Sequence, residues 1–257
     1  MRIYQVDAFT DKIFGGNPAA VCPLTEWLPD REMQQIAMEN NLSETAFIKK
    51  ESDGYMIRWF APEMEIDLCG HATLAAAHVL FNHLNFGEEL VSFTYAKGKL
   101  AVTKENDKLS MDFPAMKYKK VEASNLLKRA LGKEPMEVYQ ARDIMAVFDN
   151  EKEVAEVLPD FSKLKELEAL GLIVTARGEN VDFVSRFFAP RAGICEDPVT
   201  GSAHCMLIPY WAGKLGKDQL HAVQLSKRRG ELFCEHKGER VNIAGRAVTY
   251  MTGEISI

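Results

Sequence analysis

Short runs of alternating apolar and polar residues dominate the first half of the chain and predict β-strands. One amphipathic helix interrupts them. It begins after Leu28-Pro29-Asp30, places Met33, Ile36 and Ala37 on one face, and stops at Asn40-Asn41. The predicted strands of this half are residues 2–9, 19–22, 44–49, 55–60, 90–96, 99–104 and 109–113.

An alanine-rich stretch at residues 71–84 has a different pattern, with Ala72, Ala75, Ala76 and Val79 on one broad apolar side. A face made of such small side chains permits very close packing, which is typical of a helix buried inside a sheet. Residues 203–211 are its counterpart in the second half. Pro209 lies within that counterpart, so we expect the helix to kink there or to be stabilised in another way.

The order of elements recurs after residues 114–121, a short polar segment that we predict to be a linker. It divides the chain into an N-terminal domain, residues 1–116, and a C-terminal domain, residues 117–257, whose last strand returns to the first domain. The second half predicts a helix at 124–131 capped by Ser124, strands at 136–140, 144–148 and 172–175, a helix near 151–158, and a strand-rich tail at 220–257.

A five-residue motif occurs twice, as Arg58-Trp59-Phe60-Ala61-Pro62 and, 128 residues later, as Arg186-Phe187-Phe188-Ala189-Pro190. A glycine that opens a small-residue segment follows each copy, Gly70 in the first half and Gly201 in the second, 131 residues apart. A spacing kept this closely over half a chain indicates two copies of one unit. The seam between packed copies is a natural place for a site.

Composition narrows the function. The chain has 257 residues and 47% hydrophobic content, which are enough for a sizeable core. Its formal net charge of −6 argues against a nucleic-acid partner. Five cysteines at irregular spacing, without a CxxC pair, predict neither a metal site nor a redox couple. The first residues alternate like a strand, and no apolar run approaches about 18 residues. These features predict a reduced cytoplasmic protein without a membrane partner.

The two helix-opening glycines are the first candidate for chemistry. The start of a helix presents unpaired N–H groups and a positive dipole end, which bind a carboxylate or phosphate without a basic side chain. A lone glycine more often serves only to turn the chain into the helix. The duplication favours an anion site formed by Gly70, His71, Gly201 and Ser202.

Glu44, which precedes an apolar strand, is the candidate general acid or base. The 128-residue spacing assigns Leu172 as its counterpart, so the second copy lacks this acid. If Glu44 is a surface carboxylate, that difference has no meaning. If it lies in the seam, the site has one acid–base group where a symmetric site has two.

Cys69 and Thr200 each precede a helix-opening glycine, and only the first is a thiol. A racemase with two thiols on opposite faces of a carbon needs cysteine at both positions. His71 would polarise or orient a substrate group, and Asp197 would hold its ring or a substrate amine. The alternative for a histidine at a helix start is a capping or packing role.

Six motifs in order resemble the phenazine biosynthesis PhzF-like isomerase family, a branch of the diaminopimelate epimerase superfamily. They are Val6-Asp7-Ala8-Phe9-Thr10, Gly16-Asn17-Pro18-Ala19-Ala20-Val21, Asn41-Leu42-Ser43-Glu44-Thr45-Ala46-Phe47, the first Phe-Ala-Pro, Cys69-Gly70-His71-Ala72-Thr73, and Glu196-Asp197-Pro198-Val199-Thr200-Gly201-Ser202-Ala203.

The resemblance implies an α+β fold of two pseudo-symmetric diaminopimelate epimerase-like domains, each a β-sheet rolled around a central α-helix. It also implies an active site in the interdomain cleft and a homodimer. The family's acid–base glutamate falls on Glu44, its helix-end anion site on Gly70-His71 and Gly201-Ser202, and its motif aspartate on Asp197. Asn17 and Cys69 are further candidate site residues.

Three hypotheses remain open from the sequence. The first is a cofactor-independent isomerase that moves a proton within a small carboxylate-bearing metabolite, with Glu44 as general acid or base and with His71 and Asp197 assisting. The second is an amino-acid racemase or epimerase that uses Cys69. The third is a non-catalytic binding protein of the same fold.

Overall fold

The computed structural model describes all residues from Met1 to Ile257. Contacts divide the chain into two compact units. Unit 1 contains Met1–Asp112 and Asn242–Ile257, and unit 2 contains Phe113–Val241. This boundary lies slightly before the expected one at residues 116/117, and the last strand belongs to unit 1.

The first part of the chain forms eight strands and two helices of unit 1, and its last strand crosses into unit 2. In chain order these elements are β1 (Arg2–Ala8), β2 (Asn17–Leu24), α1 (Asp30–Asn40), β3 (Glu44–Glu51), β4 (Gly54–Phe60), β5 (Glu65–Ile66), α2 (Gly70–His83), β6 (Leu90–Tyr95), β7 (Gly98–Glu105) and β8 (Lys108–Pro114).

The rest of the chain forms unit 2 and then returns to unit 1 within its second-last strand. The elements are β9 (Lys119–Val121), α3 (Asn125–Leu131), β10 (Glu137–Gln140), β11 (Ile144–Val147), α4 (Glu151–Ala155), α5 (Phe161–Leu164), β12 (Leu172–Arg177), β13 (Phe183–Ala189), a 3₁₀ turn (Pro190–Ala192), β14 (Ile194–Asp197), α6 (Gly201–Leu215), β15 (Gln219–Gln224), β16 (Gly230–Lys237), β17 (Arg240–Gly245) and β18 (Ala247–Glu254).

The two units repeat one pattern of strand pairing. In unit 1 the strands are hydrogen-bonded in the order β18, β1, β2, β3, β4, β6 and β7. The pairs β2–β3 and β4–β6 are parallel, and the other four pairs are antiparallel. Unit 2 repeats this order in β9, β10, β11, β12, β13, β15 and β16. Parallel neighbours need a crossover, and every crossover here contains a helix. The duplication predicted from the motif is therefore present in the topology.

Helix α2 is the central helix of unit 1. Every residue from His71 to Ala77 is buried, and the helix contacts β1, β2, β3 and β18. Its alanines allow the strands to approach closely from several sides, as the alanine pattern predicts. On the other face of the sheet, Met33 and Ile36 of α1 pack against Phe47 and Phe60.

Helix α6 is the central helix of unit 2 and continues through Pro209. Proline has no N–H to donate to the carbonyl four residues earlier, which is that of Cys205. The backbone N–H of Met116 donates to that carbonyl instead, at 2.8 Å. Of the two expectations for this helix, stabilisation from outside is therefore the one observed.

The repeated motif has a structural role in both units. Arg58 makes two 2.7 Å hydrogen bonds to Glu65 and lies 5.1 Å from the ring centre of Phe60. Arg186 likewise holds Glu196, at 2.7 and 3.1 Å, and lies 4.9 Å from the ring centre of Phe188. In each unit this bidentate ion pair, stacked on an aromatic ring, links the motif strand to the short strand that follows it, which is β5 in unit 1 and β14 in unit 2.

One local prediction is wrong, and one short helix was not predicted. The predicted linker at 114–121 is partly strand, because Lys119–Val121 pairs with β10. The short helix α5, which has four residues, gave no periodic signal. The cap predicted at Ser124 is confirmed, since its side chain accepts the N–H of Leu127 at 3.1 Å. None of the helices combines the length and the apolar character needed to cross a bilayer.

Candidate functional site

Two strands and one helix of unit 1 begin close to one another. Glu44 is the first residue of β3, Asn17 is the first residue of β2, and Cys69 is the N-cap of α2. The parallel pairing of β2 and β3 sets Ala19 opposite Glu44, so both strands begin on the same side as the N-terminus of α2. Polar side chains at these starts therefore gather beside otherwise apolar elements.

The imidazole of His71, the second residue of α2, is the centre of this group. Its Nε2 lies 3.0 Å from Glu44 Oε2, and its Nδ1 lies 3.2 Å from Asn17 Nδ2 and 3.4 Å from Cys69 Sγ. Ser43 Oγ donates to Asn17 Oδ1 at 3.0 Å. The structure thus brings together five of the predicted candidates, which are Asn17, Glu44, Cys69, Gly70 and His71.

The Glu44 carboxylate is buried and incompletely satisfied. Its side chain is 10% exposed, and Oε2 has no hydrogen-bond partner. The 3.0 Å separation from His71 Nε2 makes the carboxylate and the ring an ion pair when the ring is charged. Oε2 is thus enclosed against the ring, and the His71 charge offsets the cost of burying it.

The ionisation of His71 and Cys69 follows from their shared environment. Burial lowers the pKa of His71, but the interactions of the ring with the neighbouring Cys69 and Glu44 side chains raise it by more, and the pKa lies well above its ordinary value. Burial first, and then the charge of Glu44, raises the pKa of the Cys69 thiol to about 11. Cys69 is therefore a neutral thiol at pH 7, and Glu44 is the negative neighbour of a charged His71.

A pH dependence of stability follows from the raised pKa of His71. The unfolded chain has a histidine pKa of about 6.5. The stabilisation from the charged ring is thus complete below about pH 6.5 and is lost as the pH rises through the folded pKa. Burial lowers the pKa of His78 and His204 to about 4, so those two affect stability only below pH 6.5.

We therefore expect the free energy of unfolding to fall as the pH rises above about 6.5, by up to ~1.4 kcal/mol per pH unit. Urea unfolding at several pH values measures this slope. In His71→Asn the slope should be markedly smaller, because the titrating ring is gone. An unchanged slope in that variant would show that His71 does not carry the effect.

The same side chains offer ligand atoms for a metal ion. One donor atom from each of Glu44, Cys69 and His71 lies within 4.8 Å of the others. At neutral pH the thiol and the imidazole both carry protons, which a metal would have to displace.

The other predicted residues lie at the start of α6 in unit 2. Thr200 is the N-cap, as Cys69 is for α2. Its hydroxyl donates to Asp197 Oδ2 at 2.5 Å, and its N–H donates to Gln224 Oε1 at 2.9 Å. Gln224, which is fully buried, also donates to the Asp197 carbonyl at 2.8 Å. The catalytic role of Asp197 stays a prediction, and no periodic or motif signal marked Gln224.

Strand pairing corrects the counterpart of Glu44. Arg58 pairs with Phe47, three residues after Glu44, and Arg186 pairs with Val174, three residues after Gly171. The counterpart is therefore Gly171, whereas the constant spacing assigned Leu172. A Cβ at Gly171 would lie 2.2 Å from Cζ of Phe187, so the ring occupies the space that a side chain would need. The packing of Phe187 therefore leaves no space for an acidic side chain at this position of unit 2.

Comparisons with known proteins place these residues in a family context. Residues 6–253 match the family model described as phenazine biosynthesis-like protein. An uncharacterized isomerase of Pseudomonas aeruginosa is 50% identical over 257 residues, which are 100% of this chain and 99% of that protein. A crystal structure of a PhzF-family protein from Enterococcus faecalis is 50% identical, with a TM-score of 0.98 over 100% of this chain and 99% of that one.

A more distant structure has the same architecture. A predicted epimerase from Pseudomonas aeruginosa is 18% identical, with a TM-score of 0.73 over 99% of this chain and 98% of that one. At this identity the likeness concerns the fold alone. It confirms the predicted α+β, epimerase-like class.

Proposed function

The chain belongs to the phenazine biosynthesis-like family of isomerases, and we propose that it moves a proton within a small carboxylate-bearing substrate without a cofactor. One observation carries the proposal. Glu44 Oε2 is buried, has no hydrogen-bond partner and lies 3.0 Å from the ring of His71, at the N-terminus of α2. Because Oε2 is enclosed against the ring, the other oxygen of the carboxylate, Oε1, is the one that accepts a proton from carbon.

Each neighbour of Glu44 has a role in this proposal. The first-turn N–H groups of α2, at Gly70 and His71, bind the substrate carboxylate, because these groups have no intrahelical acceptor. Glu44 removes a proton from one carbon, and the charged His71 ring stabilises the negative charge that develops on the substrate. Glu44 then returns the proton to a second carbon on the same face while a double bond of the substrate shifts by one position, so the substrate is an unsaturated acid. Asn17 Nδ2 lies 3.2 Å from Nδ1 of the ring and donates to that nitrogen only when it carries no proton.

Solvent isotope exchange tests the proposed reaction. A panel of small amino and hydroxy acids, with unsaturated members, is incubated with the protein in D₂O, and new isomers and deuterium are followed by proton NMR and mass spectrometry. A single new isomer supports the proposal, and it contains at most one deuterium, because Glu44 returns either the original proton or one exchanged with solvent. Exchange with racemisation would favour the epimerase hypothesis, and the absence of both exchange and a new isomer with every acid would favour a non-catalytic binding protein.

The thiol-based alternative gives a separate prediction. With a pKa of about 11, Cys69 is not the base at neutral pH, and the equivalent N-cap in unit 2, Thr200, has no thiol. We expect Cys69→Ala to keep its exchange activity within about threefold, as for a small buried side chain. Exchange rates of the two proteins measure this.

Alkylation provides the control for that variant. Iodoacetamide at pH 7 should modify Cys195, which is exposed, and leave Cys69, which is buried, unmodified in the peptide mass spectrum. Loss of exchange in Cys69→Ala, together with rapid alkylation of Cys69, would reverse the assignment of the base.

A further inference from the structure

Trp59, the aromatic residue of the first repeated motif, is a cross-strand neighbour of the acid in the candidate site. It pairs with Ala46 across β3 and β4, and Ala46 lies two residues after Glu44. Residues two apart on a strand point to the same face, so Trp59 and Glu44 are diagonal neighbours on one face of the sheet. A diagonal pair of this kind is within reach when one side chain is aromatic and the other is long.

The corresponding residues of unit 2 show how close these two positions lie. Phe187 is the counterpart of Trp59, and it pairs with Ile173, which lies two residues after Gly171. A Cβ at Gly171, the counterpart of Glu44, would lie 2.2 Å from Cζ of Phe187. An aromatic ring at this position of the motif therefore reaches the place that the acid occupies in unit 1.

Trp59 and Glu44 each have a buried polar atom without a hydrogen-bond partner. Trp59 is 1% exposed, and its indole Nε1 has no acceptor. The ring of Tyr95 flanks it on the β6 side, with 5.5 Å between ring centres, but the Tyr95 hydroxyl does not accept the N–H. Glu44 Oε2 has no donor and only the ion pair with His71. Because unpaired buried groups are unfavourable, a donor and an acceptor left over on neighbouring positions favour each other as partners.

The need for this donor arises when Glu44 carries the substrate proton. The proton bonds to Oε1, so Oε2 becomes the carbonyl oxygen of a neutral acid. The ion pair with His71 is then lost, because the charged ring is attracted to the negative charge that develops on the substrate. Oε2 is enclosed, so no substrate atom reaches it, and its new donor has to come from the protein.

We propose that Trp59 is a positioning residue whose indole N–H donates to Oε2 of Glu44 while that acid carries the substrate proton. The hydrogen bond keeps the neutral acid directed at the substrate between the two proton transfers, so the proton returns on the same face. This inference rests on the proposed function, but its first test needs no turnover.

NMR of the indole groups is that first test. Glu44→Gln imitates the protonated acid, because its side chain is neutral, has the same shape and keeps a carbonyl oxygen. In ¹⁵N–¹H spectra we expect its Trp59 indole proton to lie downfield of the position in the unaltered protein, since a hydrogen bond to oxygen deshields the proton. Trp59→Phe assigns the signal. The other two tryptophans are internal references, Trp27 and Trp211, and the second already donates to Thr175 Oγ1 at 2.9 Å.

Glu44→Met is the matched control for that shift, because its side chain has a similar length but no oxygen. We expect no downfield movement of the Trp59 signal in this variant. The absence of a downfield shift in Glu44→Gln, or an equal shift in Glu44→Met, would overturn the proposal.

Kinetics then measure the effect on the reaction. Trp59→Phe removes the N–H, and Phe187 shows that the fold accommodates phenylalanine at the equivalent position of unit 2. With the best acid of the panel, kcat should fall by between about twofold and tenfold, as for one neutral hydrogen bond, while KM stays nearly unchanged. Trp27→Phe should keep the normal kcat. An unchanged kcat in Trp59→Phe would remove Trp59 from the mechanism. If no acid is converted, the proposed function fails by itself, and the indole shift still decides whether Trp59 binds the neutral side chain.

Discussion

Glu44→Gln should lose between about 10²- and 10⁴-fold of the isotope-exchange rate, because an amide cannot accept and return the substrate proton. Glutamine has the same length and shape, so the buried pocket around residue 44 keeps its packing. Ligand binding should therefore stay within a few-fold of normal. Exchange rates and a binding titration with the best acid of the panel measure the two effects separately.

Glu51→Gln is the matched control, since it changes an exposed glutamate at the other end of the same strand, β3. We expect it to exchange at the normal rate. Glu44→Gln should also lower the pKa of His71, because the charge of Glu44 is one of the causes that raise it. Retained exchange in Glu44→Gln would remove Glu44 from the mechanism, and an unchanged pKa of His71 would show that the two groups are not coupled.

The sequence predicts the residues around Glu44 better than it predicts the counterpart of Glu44 in unit 2. Glu44 stands at the start of an apolar strand, and the duplication shows that the second copy has no acid in the equivalent region. The constant spacing nevertheless selects Leu172 and misses Gly171, because the distance from the acid position to the repeated arginine is one residue longer in unit 2. A single inserted residue turns a strand over, so only the pairing identifies the facing residue.

Arg142 and Gln224 could not be found in the same way. Each reaches the start of α6 from a different strand or turn, and neither lies in a copy of the repeated motif. Side chains that meet through strand pairing are distant in sequence, and the pattern of apolar residues says nothing about where a polar side chain at a turn will reach. The central helices were predicted well, because a helix that is buried on every side has small and apolar residues along its whole length, and these can be seen in the sequence.

Gly16→Ala should be the most damaging glycine substitution next to the site. Gly16 has φ +57° and lies directly before Asn17, where the chain turns from β1 into β2. A Cβ there would lie 2.0 Å from the backbone oxygen of Ala8, which cannot rotate away. The turn must shift, and Asn17 must shift with it. We expect a loss of about 3 kcal/mol or more in the free energy of unfolding.

Gly132→Ala separates the clash from the unfavourable φ. Gly132 ends α3 at φ +67°, and a Cβ there would meet nothing within 4 Å, so we expect a loss of only about 1 kcal/mol. Urea unfolding compares the two variants. In Gly16→Ala the folded fraction should also exchange deuterium more slowly, because displacing Asn17 releases its contact with the His71 ring. Equal losses of stability in the two variants would show that the turn relaxes freely, and the orientation of His71 would then have to come from Glu44 and Cys69 alone.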